Sequence, residues 1–223
     1  MDQEGYLRSH PPRCLAGFVT RADELPGVVF DGHHENLNTV FLISCRCGHD
    51  RHCVLGHYWR EPAEDSLASP DTYGTFAPSF RESVHQRARE KMSRGHDSSE
   101  PEPPRFLRPR RQEMVFLSPL ALRCEACGRI TELFDTDRHG YDAEIGAIVA
   151  TRRGDGDRVE HECENCGRKP LRLWVRFEYS PDLFDRGIGE FRGREQELFS
   201  WFSLSGQCSG CSALLQVADF ECA

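Results

Sequence analysis

Eight of the chain's eleven cysteines fall in four close pairs, and paired thiols are the residues here best suited to chemistry. Cys124 and Cys127 in CEACG, Cys163 and Cys166 in CENCG, and Cys208 and Cys211 in CSGC have CxxC spacing, whereas Cys45 and Cys47 in SCRCGHDRHC have the shorter CxC spacing. Two thiolates three residues apart on a tight turn can converge on one ion with arms of about 2.3 Å, and a glycine after the second cysteine eases the turn. Two such turns complete a tetrahedral sulfur site. Three CxxC pairs leave half a site unfilled; adding Cys45 and Cys47 brings the ligands to eight, enough for two ions. The CxC pair needs a turned backbone to grip an ion, because residues two apart on an extended strand point the same way. Gly48 can supply that turn. Cys53, His49, His52 and His57 are alternates for one ligand of this set, since neutral imidazole is an equally good zinc donor.

These units resemble the knuckles of the zinc-ribbon group, in which strand, CxxC turn and strand recur twice and share one zinc. The resemblance covers CEACG, CENCG and, without the final glycine, CSGC, together with their flanking strands. It implies a structural ion closing two β-hairpins, and it leaves function open, because members bind nucleic acid, bind proteins or stabilise an enzyme domain. Cys163 and Cys166 are joined to Cys208 and Cys211 through strand-like segments. That favours one ribbon there and a second formed by Cys45, Cys47, Cys124 and Cys127, with a joining of the two middle pairs as the competing arrangement. Two structural zinc ions are expected. Four thiolates also accept iron, but zinc needs no redox partner. Cys14, Cys53 and Cys222 are left as ordinary thiols.

Composition narrows the setting. The chain has 223 residues, 38% of them hydrophobic, and lacks any apolar run of membrane-spanning length. Its first residues, MDQEGYLRSHPPR, carry no apolar stretch of a secretory kind. A cytoplasmic location is therefore expected, where cysteines stay reduced and patterned ones bind metal. A net charge of −8 disfavours wrapping by nucleic acid, which usually needs a basic face.

Other chemistry is thinner. FDTDRHGYDAEIG gathers Asp135, Asp137, His139, Tyr141, Asp142 and Glu144, a set able to bind a second metal or move protons, or simply to form a polar loop. His33 and His34 in GHHENLN are similar in quality. The chain contains no HExxH, phosphate-binding glycine loop, GxSxG or dinucleotide fingerprint.

The elements that must position the cysteines read as strands. A mainly β fold of antiparallel, zinc-ribbon-type hairpins is expected, with one helix in a long linker or insertion. Three regions follow: 1–60 with the first knuckle, 61–113 as linker or insertion, and 114–223 with three CxxC knuckles. Within the second, Ser79 precedes Glu82 at capping-box spacing, and Phe80, Val84, Ala88 and Met92 recur every fourth position, which predicts a helix from Phe80 to Arg94. Arg105, Arg108, Arg110 and Arg111 form a basic cluster after it. A hairpin is expected around GDGD, between 148–153 and 158–161. LRLWVRFEY alternates strictly and predicts a strand with one buried and one wet face. GIGEFRGREQELFSWF reads as either helix or strand. The function these features suggest is a non-enzymatic module for protein binding or regulation. Its rivals are a metal-dependent enzyme using the Asp135–Glu144 loop and a nucleic-acid binder.

Overall fold

The computed structural model describes residues 3–26, 36–58, 116–146, 154, 156–181 and 191–222. All of them belong to one compact unit, built from 1–59 and 106–223, with 60–105 assigned to another. The expected helix at 80–94, the basic cluster, and His33 and His34 lie outside the described residues, as does one side of the GDGD hairpin.

Among the described residues, nine antiparallel strands form one sheet: β1 Val19–Ala22, β2 Leu37–Ser44, β3 Arg51–Tyr58, β4 Phe116–Cys124, β5 Ile130–Phe134, β6 Val159–Glu160, β7 Leu171–Tyr179, β8 Trp201–Cys208 and β9 Leu214–Glu221. Two short helices, α1 Gln3–Ser9 and α2 Tyr141–Glu144, lie outside it. The main path runs β1-β2-β7-β3-β4-β5, with β6 on β3, β8 on β7 and β9 on β8. The chain is thus mainly β and antiparallel, as its alternating runs require. Strands from both sides of 60–105 interleave, since β2 pairs with β7 and β3 with β4.

β7 organises the sheet. Along one edge it pairs with β8 from Leu171 to Glu178; the other edge is divided, with Leu171 and Arg172 on β3 and Trp174 to Tyr179 on β2. Its odd-numbered residues Leu171, Leu173, Val175, Phe177 and Tyr179 are all at most 1% exposed. They meet an aromatic stack in which the Phe134 ring lies 4.0 Å from Phe202 and 5.3 Å from Phe220. Burying a side chain of this size contributes about 1.5–3 kcal/mol. The even-numbered face is drier than the alternation predicts. Trp174 is buried against Val40, Leu42 and Leu25, and its indole N–H donates to Asp23 at 3.3 Å. Arg172 then lies over the Trp174 ring. The polar side chains here cover a second, smaller apolar cluster instead of facing only water. GIGEFRGREQELFSWF resolves, in its described part, into a 3₁₀ turn at Glu195–Glu197 and the start of β8.

One row of residues crosses four strands. Cys124 pairs with His52, His52 with Leu171, and Leu171 with Cys208. Residues directly opposite on antiparallel strands share a face, and all four are at most 2% exposed. Two of the knuckles are therefore fixed to a common core line. His52 is the anomaly in it, since neither ring nitrogen has a hydrogen-bond partner among the described residues. Its ring meets Phe18 edge-on instead. A buried polar group left unpaired costs roughly 1–3 kcal/mol. His52→Leu is expected to leave the denaturation midpoint unchanged or raise it. A loss above about 1 kcal/mol would show that the ring nitrogens do have a partner.

Candidate metal centres

Each knuckle is a strand end folded onto itself by two backbone hydrogen bonds. In the CxxC units the first cysteine N–H donates to the carbonyl five residues on: Cys124 to Arg129 at 2.9 Å, Cys163 to Arg168 at 2.8 Å, Cys208 to Ala213 at 2.9 Å. The N–H four residues on returns to that cysteine's carbonyl, from Gly128 at 3.0 Å, Gly167 at 2.7 Å and Ser212 at 3.0 Å. The CxC unit repeats this plan one residue shorter. Cys45 donates to His49 at 2.8 Å, and Gly48 returns to Cys45 at 2.8 Å.

The returning residue is left-handed in every case: Gly48 at φ 90°, Gly128 at 69°, Gly167 at 70° and Ser212 at 59°. An added Cβ at the three glycines would meet nothing within 4 Å, so glycine stands there for its backbone freedom alone. Ser212 occupies the same conformation without that freedom, which is what the missing glycine after CSGC means.

The turns bring the sulfurs together in two sets: Cys45, Cys47, Cys124 and Cys127, and Cys163, Cys166, Cys208 and Cys211, each with all its sulfurs within 4.8 Å of one another. In the first, Cys45 Sγ lies 3.6 Å from Cys127 Sγ, and Cys47 Sγ 3.6 Å from Cys124 Sγ. In the second, Cys163 to Cys211 is 3.6 Å and Cys166 to Cys208 is 3.5 Å. A tetrahedron with 2.3 Å arms has edges of about 3.8 Å. A disulfide, at about 2.0 Å, is far shorter. The spacing therefore fits a four-coordinate thiolate site for zinc. Both sets have the same arrangement, in which the first cysteine of each pair is buried at a strand end and the second is exposed. Each of the short sulfur contacts joins one buried and one exposed thiol.

Within each set the thiols differ in how readily they ionise. The Cys47 N–H draws the Cys45 thiol down, but burial and the neighbouring thiols push it up to about 12. Opposite it, the Arg129 N–H with the Cys124 and Cys45 thiols holds Cys127 down to about 7. In the second set burial pushes Cys163 up to about 12. Burial also opposes ionisation of Cys208, yet the Cys211 and Gly210 N–H groups and the facing thiols bring it down to about 7. Each set holds one thiol ready to ionise beside another that resists, and a divalent ion removes the conflict by stabilising four thiolates at once.

The alternate ligands stand outside both sets. Cys53 Sγ accepts from Arg123 at 3.5 Å, His49 faces Glu125 at 3.4 Å, His52 turns into the core, and His57 packs under Gly154. The FDTDRHGYDAEIG segment forms a turn and α2. The Asp135 N–H donates to His139 Nδ1 at 3.0 Å, Asp135 Oδ1 accepts from the Asp137 N–H at 3.1 Å, and Glu144 is held by Arg13 and Arg194. Arg13, Asp137, Arg138, His139 and Ala143 line a shallow cavity of about 530 Å³ there. Among the described residues, the two cysteine sets are the only groups of three or more potential ligand side chains close enough to share an ion. What the spacing of cysteines did not disclose is the carbonyl five residues on and the left-handed residue before it; glycine marks three of the four such positions.

Comparison with protein-family models, with curated proteins and with solved structures gave no match for this chain.

Two outcomes follow from this geometry. Ser212→Gly should raise stability by up to about 1 kcal/mol and Gly167→Ala should lower it by about 1–2 kcal/mol, read from denaturant midpoints of metal-loaded protein. Equal midpoints would remove the left-handed requirement. Burial, then Arg13 and Arg138, push the His139 imidazole down to about 4. The unfolded chain takes up this proton near pH 6.5 and the folded chain only near 4, so stability drains away as pH falls through that interval. His139→Gln should flatten part of the loss between about pH 7 and pH 5; an unchanged slope would contradict its burial as a neutral ring.

Proposed function

We propose that this chain is a zinc-binding β module with two structural four-thiolate centres, one on Cys45, Cys47, Cys124 and Cys127 and the other on Cys163, Cys166, Cys208 and Cys211. It acts without catalysis, as a protein-binding or regulatory surface in the reduced cytoplasm. The observation that carries this reading is the placing of eight sulfurs, from four separate turns, at tetrahedral spacing in two sets of four. Zinc bound there supplies a fixed cross-link between turns. The chain's own residues do the rest: backbone N–H groups steady the thiolates, and the core row holds the two centres in one sheet.

All eleven cysteines are free thiols, in keeping with a reducing compartment. No described helix is long and apolar enough to cross a membrane. The negative net charge supports a protein partner over nucleic acid.

Metal analysis of purified protein should give two zinc equivalents per chain. The double variant Cys45→Ser with Cys47→Ser should give one, and protein free of metal would overturn the reading. Titration with single- and double-stranded oligonucleotides should show no salt-sensitive binding. A steep fall in affinity with rising salt would transfer the function to nucleic acid.

A further inference from the structure

We infer that the chain is an internal duplication: β2–β5 and β6–β9 are two copies of one single-metal unit, joined about a pseudo-two-fold axis, with residues 60–105 inserted into the connection between β3 and β4. The inference stands on strand registers. Only its metal readout rests on the two-centre reading above.

The second hairpin of each copy shows the equivalence most directly. Shifting β4 and β5 by the 84 residues that separate Cys124 from Cys208 turns them into β8 and β9. Ala121↔Glu132 becomes Ser205↔Gln216, Leu122↔Thr131 becomes Gly206↔Leu215, and Arg123↔Ile130 becomes Gln207↔Leu214. The irregularity is shared as well. The bulge between Leu120 and Ala121 falls on the bulge between Leu204 and Ser205, beyond which Leu120↔Phe134 becomes Leu204↔Ala218. A bulge in the same place is a feature of a common design, since one extra residue re-aims every side chain beyond it.

The first halves match by the same operation. β2 moves onto β6 by 118 residues, Cys45 to Cys163, and β3 moves onto β7 by 119, because the CxC knuckle between them is one residue short of CxxC. Leu55↔Glu160 and Gly56↔Val159, where β3 meets the second copy's β6, then correspond to Trp174↔Leu42 and Val175↔Phe41, where β7 meets the first copy's β2. His52↔Cys124 and Val54↔Leu122 correspond to Leu171↔Cys208 and Leu173↔Gly206. The pair His52↔Leu171 maps onto itself. It marks the axis, and each copy lends its first strand to the other: β2 lies on β7, and β6 on β3.

Burial follows the same correspondence although identity has gone. His52 and Leu171, Val54 and Leu173, Gly56 and Val175, Leu120 and Leu204, and Leu122 and Gly206 are buried in pairs. Outside the knuckles, Leu120 and Leu204 are the one identical pair in these strands. The two copies differ most in the connection that follows the first knuckle's second strand. By the same shifts Tyr58 and Phe116 fall on Phe177 and Ser200, so the connection 59–115 of the first copy answers to 178–199 of the second. Equivalent positions are bridged by the shorter segment in one copy, so the longer segment is an addition.

The test replaces 60–105 in the full chain by a short Gly/Ser linker that brings the β3–β4 connection to the length of its counterpart, 178–199. Two metal equivalents and a single cooperative unfolding transition should be retained. Loss of either ion, or of cooperative unfolding, in a chain whose intact parent binds two would overturn the inference. If the full replacement is insoluble, the variant lacking only 66–105 decides by the same two readings. Should the intact parent bind no metal, the zinc reading fails by itself, and the duplication is then judged on the circular dichroism and unfolding cooperativity of the shortened chain.

Discussion

The sheet depends on one row of buried side chains, Cys124, His52, Leu171 and Cys208, which crosses four strands at the point where the two ribbons meet. Its ends belong to the two sulfur sets and its middle is core, so packing and sulfur spacing constrain each other. A one-residue slip in β4 or β8 would carry Cys124 or Cys208 to the wrong face and break both the core line and a sulfur set. Register is thus specified twice, by hydrophobic burial and by the spacing of the sulfurs.

The knuckles solve a local problem in the same spirit. A strand that ends on a ligand must reverse within a few residues while leaving its amides paired. The donation from the first cysteine to the carbonyl five residues on closes the turn, and the left-handed residue before that carbonyl lets the chain leave in strand conformation. The short CxC version keeps both bonds by dropping one residue, and Gly48 absorbs the difference with the largest positive φ of the four. An ion held by two separate knuckles would cross-link elements far apart in sequence, where loop closure is otherwise costly.

Much of this was legible in the residues. Alternation in LRLWVRFEY marked β7, and counting ligands in fours drew the CxC pair into the constellation. What could not be read was which strands are neighbours. β2 and β3 look like a hairpin about SCRCG, yet β2 pairs with β7 and β3 with β4, because pairing partners are chosen by the whole sheet and not by proximity along the chain. The wet face of β7 failed for a related reason: Leu25 and Asp23, from an unrelated stretch, cover Trp174. The knuckles also look like four loosely similar units in sequence. Their true period is two knuckles long, and it is written in hydrogen-bond register, which hydrophobic substitution leaves intact while erasing identity.

The alternation of buried and exposed thiols gives each centre a front and a back. Cys47, Cys127, Cys166 and Cys211 meet solvent, while Cys45, Cys124, Cys163 and Cys208 sit at the ends of core strands. An oxidant or chelator arriving from water reaches one sulfur of each turn first, and the short contact of that sulfur is with the opposing turn's buried one. Chemical wear therefore begins at matching positions in both sets and passes from an exposed sulfur on one turn to a core sulfur on the other.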